Sequence, residues 1–150
     1  MIQRKQTLFL FVSALMGLSL LFIPNQTLIT ATGPIDVLLI PLQEPFISTS
    51  LHLLTIGLNF LALLLAVVTV FLYKKRELQV KLCYTLIVFW LVIAVLMGVA
   101  TFAELKDPVM AVDKTYIALT MDILGIIVSY IAARFIKKDI ELLKSADRIR

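Results

Sequence analysis

Four apolar runs alternate with polar, proline-bearing segments along the chain. Thr7 to Ile23 holds 17 residues, Leu51 to Tyr73 holds 23, Leu82 to Phe102 holds 21 and Tyr116 to Phe135 holds 20. A helix crossing a hydrocarbon layer of ~30 Å needs about 20 mostly apolar residues. Each run therefore predicts a membrane-spanning helix, the first at the short end of the range. All five prolines (Pro24, Pro34, Pro41, Pro45 and Pro108) fall between runs. Proline lacks an N–H and clashes with the preceding turn, so it marks where helices stop. The short link from Lys74 to Lys81 makes the second and third spans an antiparallel hairpin. Residues 136–150 continue the fourth helix as a tail: Ile136, Ile140, Leu143 and Ala146 recur at helical spacing, and Lys144 stands three residues from both Glu141 and Asp147. The pattern predicts an all-α fold, a single membrane domain over residues 1–150 built as an antiparallel bundle of four transmembrane helices with a C-terminal helical extension.

The segment from Pro24 to Ser50 is long and too broken by proline to span. Thr27-Leu28-Ile29-Thr30 and Asp36-Val37-Leu38-Leu39-Ile40 flank a turn signal at Gly33-Pro34. Two short strands joined there, a β-hairpin, would satisfy some of their own backbone groups above the membrane. Irregular chain lying on the bilayer surface is the alternative.

Composition supports the same solvent. Hydrophobic types make up 61% of the 150 residues and charged types 16%, and the mean hydropathy is +1.01. These values exclude a disordered chain and an ordinary soluble enzyme, whose surface needs more polar cover. Lys and Arg then set orientation. Twelve lie at the N-terminus, the second link, and the tail with Arg134 at the end of the fourth run, against only Lys106 and Lys114 in the other two links. Both termini are thus expected in the cytoplasm, with residues 24–50 and 103–115 outside. Arg4 and Lys5 before an apolar run also fit a secretory signal, but Phe22-Ile23-Pro24-Asn25 makes a poor cleavage site. The net charge of +4 reflects cations held near anionic lipid headgroups at the cytoplasmic face, not a nucleic-acid partner.

Candidate chemistry is sparse. Asp122 is the one acid clearly within a span, roughly 9 Å below Tyr116 at ~1.5 Å rise per residue. An acid at that depth costs about 2.5–3.5 kcal/mol and marks a functional candidate. Gly125, Ser129 and Ala133 share its helix face, so Asp122 is expected to look into the bundle. His52, Thr55 and Asn59 share a face of the second span, and Glu104 lies just past the end of the third. Asp122, His52, Asn59, Glu104 and Ser129 form a candidate intramembrane polar cluster. It suits interhelical hydrogen bonding, a proton or ion relay, or, less readily, a metal. Each span carries one glycine: Gly17, Gly57, Gly98 and Gly125 are candidates for close helix packing. Trp90, mid-span, reads as a packing or lipid-facing residue, and lone Cys83 as a small hydrophobe. With one His and one Cys, and no phosphate-binding loop or nucleophile elbow, neither an enzyme nor a cofactor is expected.

The opening Met1-Ile2-Gln3-Arg4 before an apolar span, the four spans, and the closing Lys137-Lys138-Asp139 and Leu143-Lys144-Ser145-Ala146-Asp147-Arg148-Ile149-Arg150 together resemble one family. It is the small four-span bacterial membrane family known as domain of unknown function 4293, of Bacteroidetes type. The resemblance implies an inner-membrane protein and no known activity. The tail cations Lys137, Lys138, Lys144, Arg148 and Arg150 make that segment a candidate docking helix. The leading expectation is a small scaffold or accessory subunit binding another membrane component, or a homo-oligomer. The alternative is a proton- or ion-linked transporter or channel subunit using Asp122.

Overall fold

The computed structural model describes the backbone of residues 3–22, 24–30, 33–38, 50–104, 111–113 and 117–147, and the side chains of residues 7–22, 53–99 and 117–145. Among these, helix α1 spans Gln3–Ser19, α2 Ser50–Phe71, α3 Arg76–Glu104 and α4 Ile117–Asp147. Strands β1 (Pro24–Thr30), β2 (Gly33–Leu38) and β3 (Ala111–Asp113) complete the order.

One rule of spacing builds the bundle. The buried positions include Leu10, Ser13 and Gly17 on α1, with Leu20 just past its end, and Thr55, Asn59, Ala62, Ala66 and Thr69 on α2. On α3 they include Gln79, Cys83, Leu86, Trp90 and Ile93; on α4, Ala118, Asp122, Gly125, Ser129, Ala132, Ile136 and Asp139. Steps of three and four alternate along every helix. That mean period of about 3.5 keeps one seam facing a neighbour and gives the shallow crossing of left-handed bundles. Each helix packs on the next around a ring, α1 on α2, α2 on α3, α3 on α4 and α4 on α1. Ala, Gly, Ser and Thr recur along the seams of α1, α2 and α4 and let backbones approach.

Helix ends follow from local chemistry. The apolar run predicts a first span to Ile23, but α1 stops at Ser19. The Ser19 hydroxyl donates to the Met16 carbonyl at 2.8 Å, and i→i+3 bonds from Leu21 and Phe22 tighten the last turn. Pro24 then opens β1, and a residue before proline avoids the helical region. The third helix starts earlier than the apolar run, at Arg76 and not Leu82. The Gln79 N–H donates to the Lys75 carbonyl at 3.0 Å, and Glu77 in the first turn complements the positive helix end. The tail is one continuous helix with the fourth span as far as Asp147, with Lys144 in the last turn.

The strands form one sheet in the order β2-β1-β3. β1 and β2 are antiparallel, with Thr30 opposite Gly33 and Thr27 opposite Asp36. β3 adds to the other edge of β1, Leu28 facing Val112. The sequence reading left β3 unassigned, because three residues carry too little periodicity to reveal a partner far away in the chain. β1 also touches α4, which sets this sheet at one end of the bundle; the α2–α3 turn lies at the other.

The outer surface is apolar. Leu8, Phe11, Leu53, Leu64, Val88 and Val95 are all more than half exposed, and Phe71 is 75% exposed. Among the described residues three helices, Leu53–Phe71, Arg76–Val99 and Ile117–Ser145, are long and apolar enough to cross a membrane; the apolar part of α1, Thr7–Ser19, is shorter.

Candidate functional site

Polar side chains concentrate inside the bundle. Asp122 is 0% exposed, and neither of its carboxyl oxygens meets a hydrogen-bond donor among the described residues. Its place on the seam is fixed by the spacing above: it lies one turn from Gly125 on the same face. Asn59, on α2, is equally buried and donates from Nδ2 to the Gly17 carbonyl on α1 at 3.2 Å. Its Oδ1 is a second buried acceptor without a donor. Thr55 is buried one turn away on the same face.

Trp90 organises this layer. Its indole is fully buried and lies between two glycines on facing helices. A Cβ added at Gly125 would sit 2.9 Å from Trp90 Cδ2, and one added at Gly17 would sit 3.0 Å from Trp90 Cη2. Only glycine lets α1 and α4 both close on the ring. The Trp90 Nε1–H finds no acceptor among the described residues. An indole donor, an amide oxygen and a carboxyl group, none of them satisfied, thus share the interior nearer the sheet end. A buried polar atom left unpaired costs about 1–3 kcal/mol, more if charged, so such an arrangement requires a physical reason.

One turn beyond the glycines, Ser13 on α1 and Ser129 on α4 are hydrogen-bonded at 3.0 Å. Phe9 and Phe135 stack in the same antiparallel register, with centroids 5.4 Å apart. Toward the α2–α3 turn Gln79, Arg76 and Asp139 each have a partner. Gln79 donates from Nε2 to the Thr69 carbonyl at 3.0 Å. Arg76 and Asp139 form an ion pair at 3.0 Å that lacks the directed geometry of a hydrogen bond.

The predicted cluster is therefore divided. Asp122 and Asn59 occupy the same part of the interior, while Ser129 is engaged further along α4 with Ser13. His52 and Glu104 fall within α2 and α3, but their side chains lie outside the described residues. The glycines divide as well: Gly17 and Gly125 pack against Trp90, whereas an added Cβ at Gly57 or Gly98 meets nothing within 4 Å. Gly57 lies on the exposed side of α2. Sequence reasoning missed Trp90 as the organising residue, and missed the Gln79–Thr69 and Arg76–Asp139 contacts. A tryptophan amid a run of leucines and valines was the signal available.

The tail cations have their own partners. Lys137 Nζ lies over the Tyr84 ring, 5.0 Å from its centroid. Arg134 donates to the Tyr130 hydroxyl at 3.3 Å and stacks on its ring at 5.9 Å. Lys144 reaches across to Glu77 on α3 at 3.9 Å, a contact between helices that the local i, i+3 pairing did not anticipate. Lys138 is exposed, and Arg148 and Arg150 lie outside the described residues. Two grooves flank this end of α4. One, of about 790 Å³, includes Lys74, Lys75, Arg76, Lys81 and Lys144; the other, of about 730 Å³, includes Arg134, Lys137 and Lys138 among aromatic residues.

The arrangement defines a small helical bundle with a polar seam inside and an apolar surface outside. The chain belongs to the family described as Domain of unknown function (DUF4293), whose profile matches residues 2–149. No curated protein and no solved structure matches it.

Proposed function

We propose that this chain is a multi-pass protein of the bacterial inner membrane, with both termini in the cytoplasm, that serves as a small scaffold or accessory subunit for another membrane component. The observation that carries this reading is the distribution of polarity. Leucine, valine and phenylalanine side chains face outward along the helices, while Ser13, Thr55, Asn59, Asp122 and Ser129 face inward. Water would favour the reverse, and lipid favours this. Gly57, exposed and without a neighbour, leaves a notch on α2 that another helix could enter. A non-catalytic role fits the same features.

Three measurements test it. Alkaline carbonate washing should leave the protein in the membrane pellet, and reporter fusions at Ile40 and Arg150 should score outside and cytoplasmic respectively. Affinity purification from native membranes, with and without residues 137–150, should yield a partner that depends on the tail. Recovery in the washed supernatant, a cytoplasmic Ile40 reporter, or no reproducible partner would each defeat the corresponding part.

A second reading has its own support. Asp122 is fully buried with both oxygens unpartnered among the described residues, and a bare carboxylate there is the costliest state. A proton or a small cation relieves it, as in proton- or ion-linked membrane proteins. Flux in proteoliposomes that is present in wild type and lost in Asp122→Asn supports this role; flux absent, or indifferent to the substitution, removes it.

A further inference from the structure

We propose that the groove between the α2–α3 turn and the end of α4 binds the headgroup of an anionic phospholipid, and binds best one that carries two phosphates. This rests on the membrane reading above and adds a ligand site to it. The groove, of about 790 Å³, is lined by Leu78, Ile140 and Leu143 and by Lys74, Lys75 and Lys81, with Glu77 beside Lys144. Among the described residues no carboxylate pairs with any of these three lysines. The other two cations lining the groove are already committed, Arg76 to Asp139 and Lys144 to Glu77. Three unpaired positive charges beside apolar side chains match an amphiphile with a multiply charged head.

Depth supports a lipid. Lys74 and Lys75 follow Tyr73, where the second apolar run ends, by one and two residues, and Lys81 precedes Leu82, where the third begins, by one; even fully extended at ~3.6 Å per residue they lie within ~7 Å of the hydrocarbon edge. Beyond the hydrocarbon core a bilayer has a headgroup layer of roughly 5–8 Å on each side, so the groove opens at its level. Tyr73, half exposed at the lip, is the residue type favoured at that boundary. Basic pockets between spans on the cytoplasmic side are suited to such headgroups. The neighbouring groove is less suited, because Lys137 and Arg134 there are held over tyrosine rings.

The test is lipid titration of the purified full-length protein in detergent, read by native mass spectrometry, with cardiolipin, phosphatidylglycerol and phosphatidylcholine as probes. Wild type should retain cardiolipin most and phosphatidylcholine least. Each lysine near the surface contributes about five-fold, ~1 kcal/mol, so Lys74→Gln/Lys75→Gln/Lys81→Gln should lower cardiolipin affinity on the order of 100-fold. The corresponding triple Lys→Arg variant should keep it, and Lys137→Gln/Lys138→Gln should lower it far less. Equal retention of all three lipids, an unaffected Lys→Gln triple variant, or an equal loss at Lys137 and Lys138 overturns the proposal. So does displacement of the lipid by millimolar inorganic phosphate, which would make free phosphate the ligand. Loss of membrane integration in the carbonate wash defeats the membrane reading itself; integration without lipid preference defeats only the groove.

Discussion

Replacing Gly125 with alanine adds one methyl group to the most crowded point of the bundle. Its Cβ would stand 2.9 Å from Trp90 Cδ2, 3.0 Å from Cε2 and 3.2 Å from Nε1, closer than carbon atoms normally approach. The indole is rigid and has little room to swing aside, because α1 packs against its far edge at Gly17, where even an added Cβ would stand 3.0 Å from Cη2. The helices must therefore separate or the ring must leave its seat. Overpacking of this kind costs about 1–3 kcal/mol, and the better helix propensity of alanine returns up to ~1 kcal/mol. The net expectation is a loss of roughly 1–2 kcal/mol. Gly17→Ala should cost less, since a single ring carbon gives way there, and Gly57→Ala and Gly98→Ala, with open space around them, should be neutral or slightly stabilising. The assay is unfolding in mixed micelles followed by circular dichroism. A second cycle with Trp90→Phe, which shortens the ring system, should recover much of the Gly125→Ala loss; contacting residues couple by about 0.5–3 kcal/mol. If Gly125→Ala is as stable as wild type, or Gly57→Ala is equally harmful, Trp90 does not hold α1 and α4 as described.

Tests at three further contacts separate strong from weak ones. Arg76→Ala leaves Asp139, 7% exposed, without its cation, and should cost up to ~3 kcal/mol in the same unfolding assay, with Arg76→Leu/Asp139→Leu recovering most of it. Lys144→Ala should change stability by less than ~0.5 kcal/mol, because the Lys144–Glu77 pair is 70% and 79% exposed at 3.9 Å and exposed pairs contribute little. A double-mutant cycle on Ser13→Ala and Ser129→Ala should give a coupling of about 0.6 kcal/mol, typical of hydrogen bonds between membrane helices; a value near zero would mean that the hydroxyls bond elsewhere.

Much of the bundle can be read from the chain because one signal recurs. Apolar length picks out the helices, and small or polar residues at steps of three and four pick out the faces that meet. Asp122, Gly125 and Ser129 lie on a common stripe in the sequence, and the same stripe is the buried face of α4. What each member touches was not legible. Stripe membership gives direction and depth on one helix, but the register between helices depends on contacts made across the bundle. That register sends Ser129 to Ser13 and brings Gly125 to Trp90. The α3 start was misjudged for a related reason. Charged residues at Arg76, Glu77 and Lys81 look like a link, yet Gln79 and Val80 between them are buried, and a cross-helix bond from Gln79 to Thr69 makes that turn of helix worthwhile.

The two ends of the interior answer the same constraint in different ways, and the contrast bears on what Asp122 is for. Near the α2–α3 turn, Gln79 has a carbonyl partner and Asp139 an arginine. Nearer the sheet end, Asp122, Asn59 Oδ1 and Trp90 Nε1 have none among the described residues. If polar residues in the bundle served packing alone, the least satisfied ones would be expected nearest bulk water, where solvent could complete their bonds. Instead they lie around the close packing of the indole between Gly17 and Gly125. Asp122→Asn decides between two consequences. If the carboxyl group only fills space, the amide, which carries both a donor and an acceptor, should leave stability unchanged or raise it. If the carboxyl group holds a proton or cation that the bundle uses, stability should still be kept while the flux of that ion is lost.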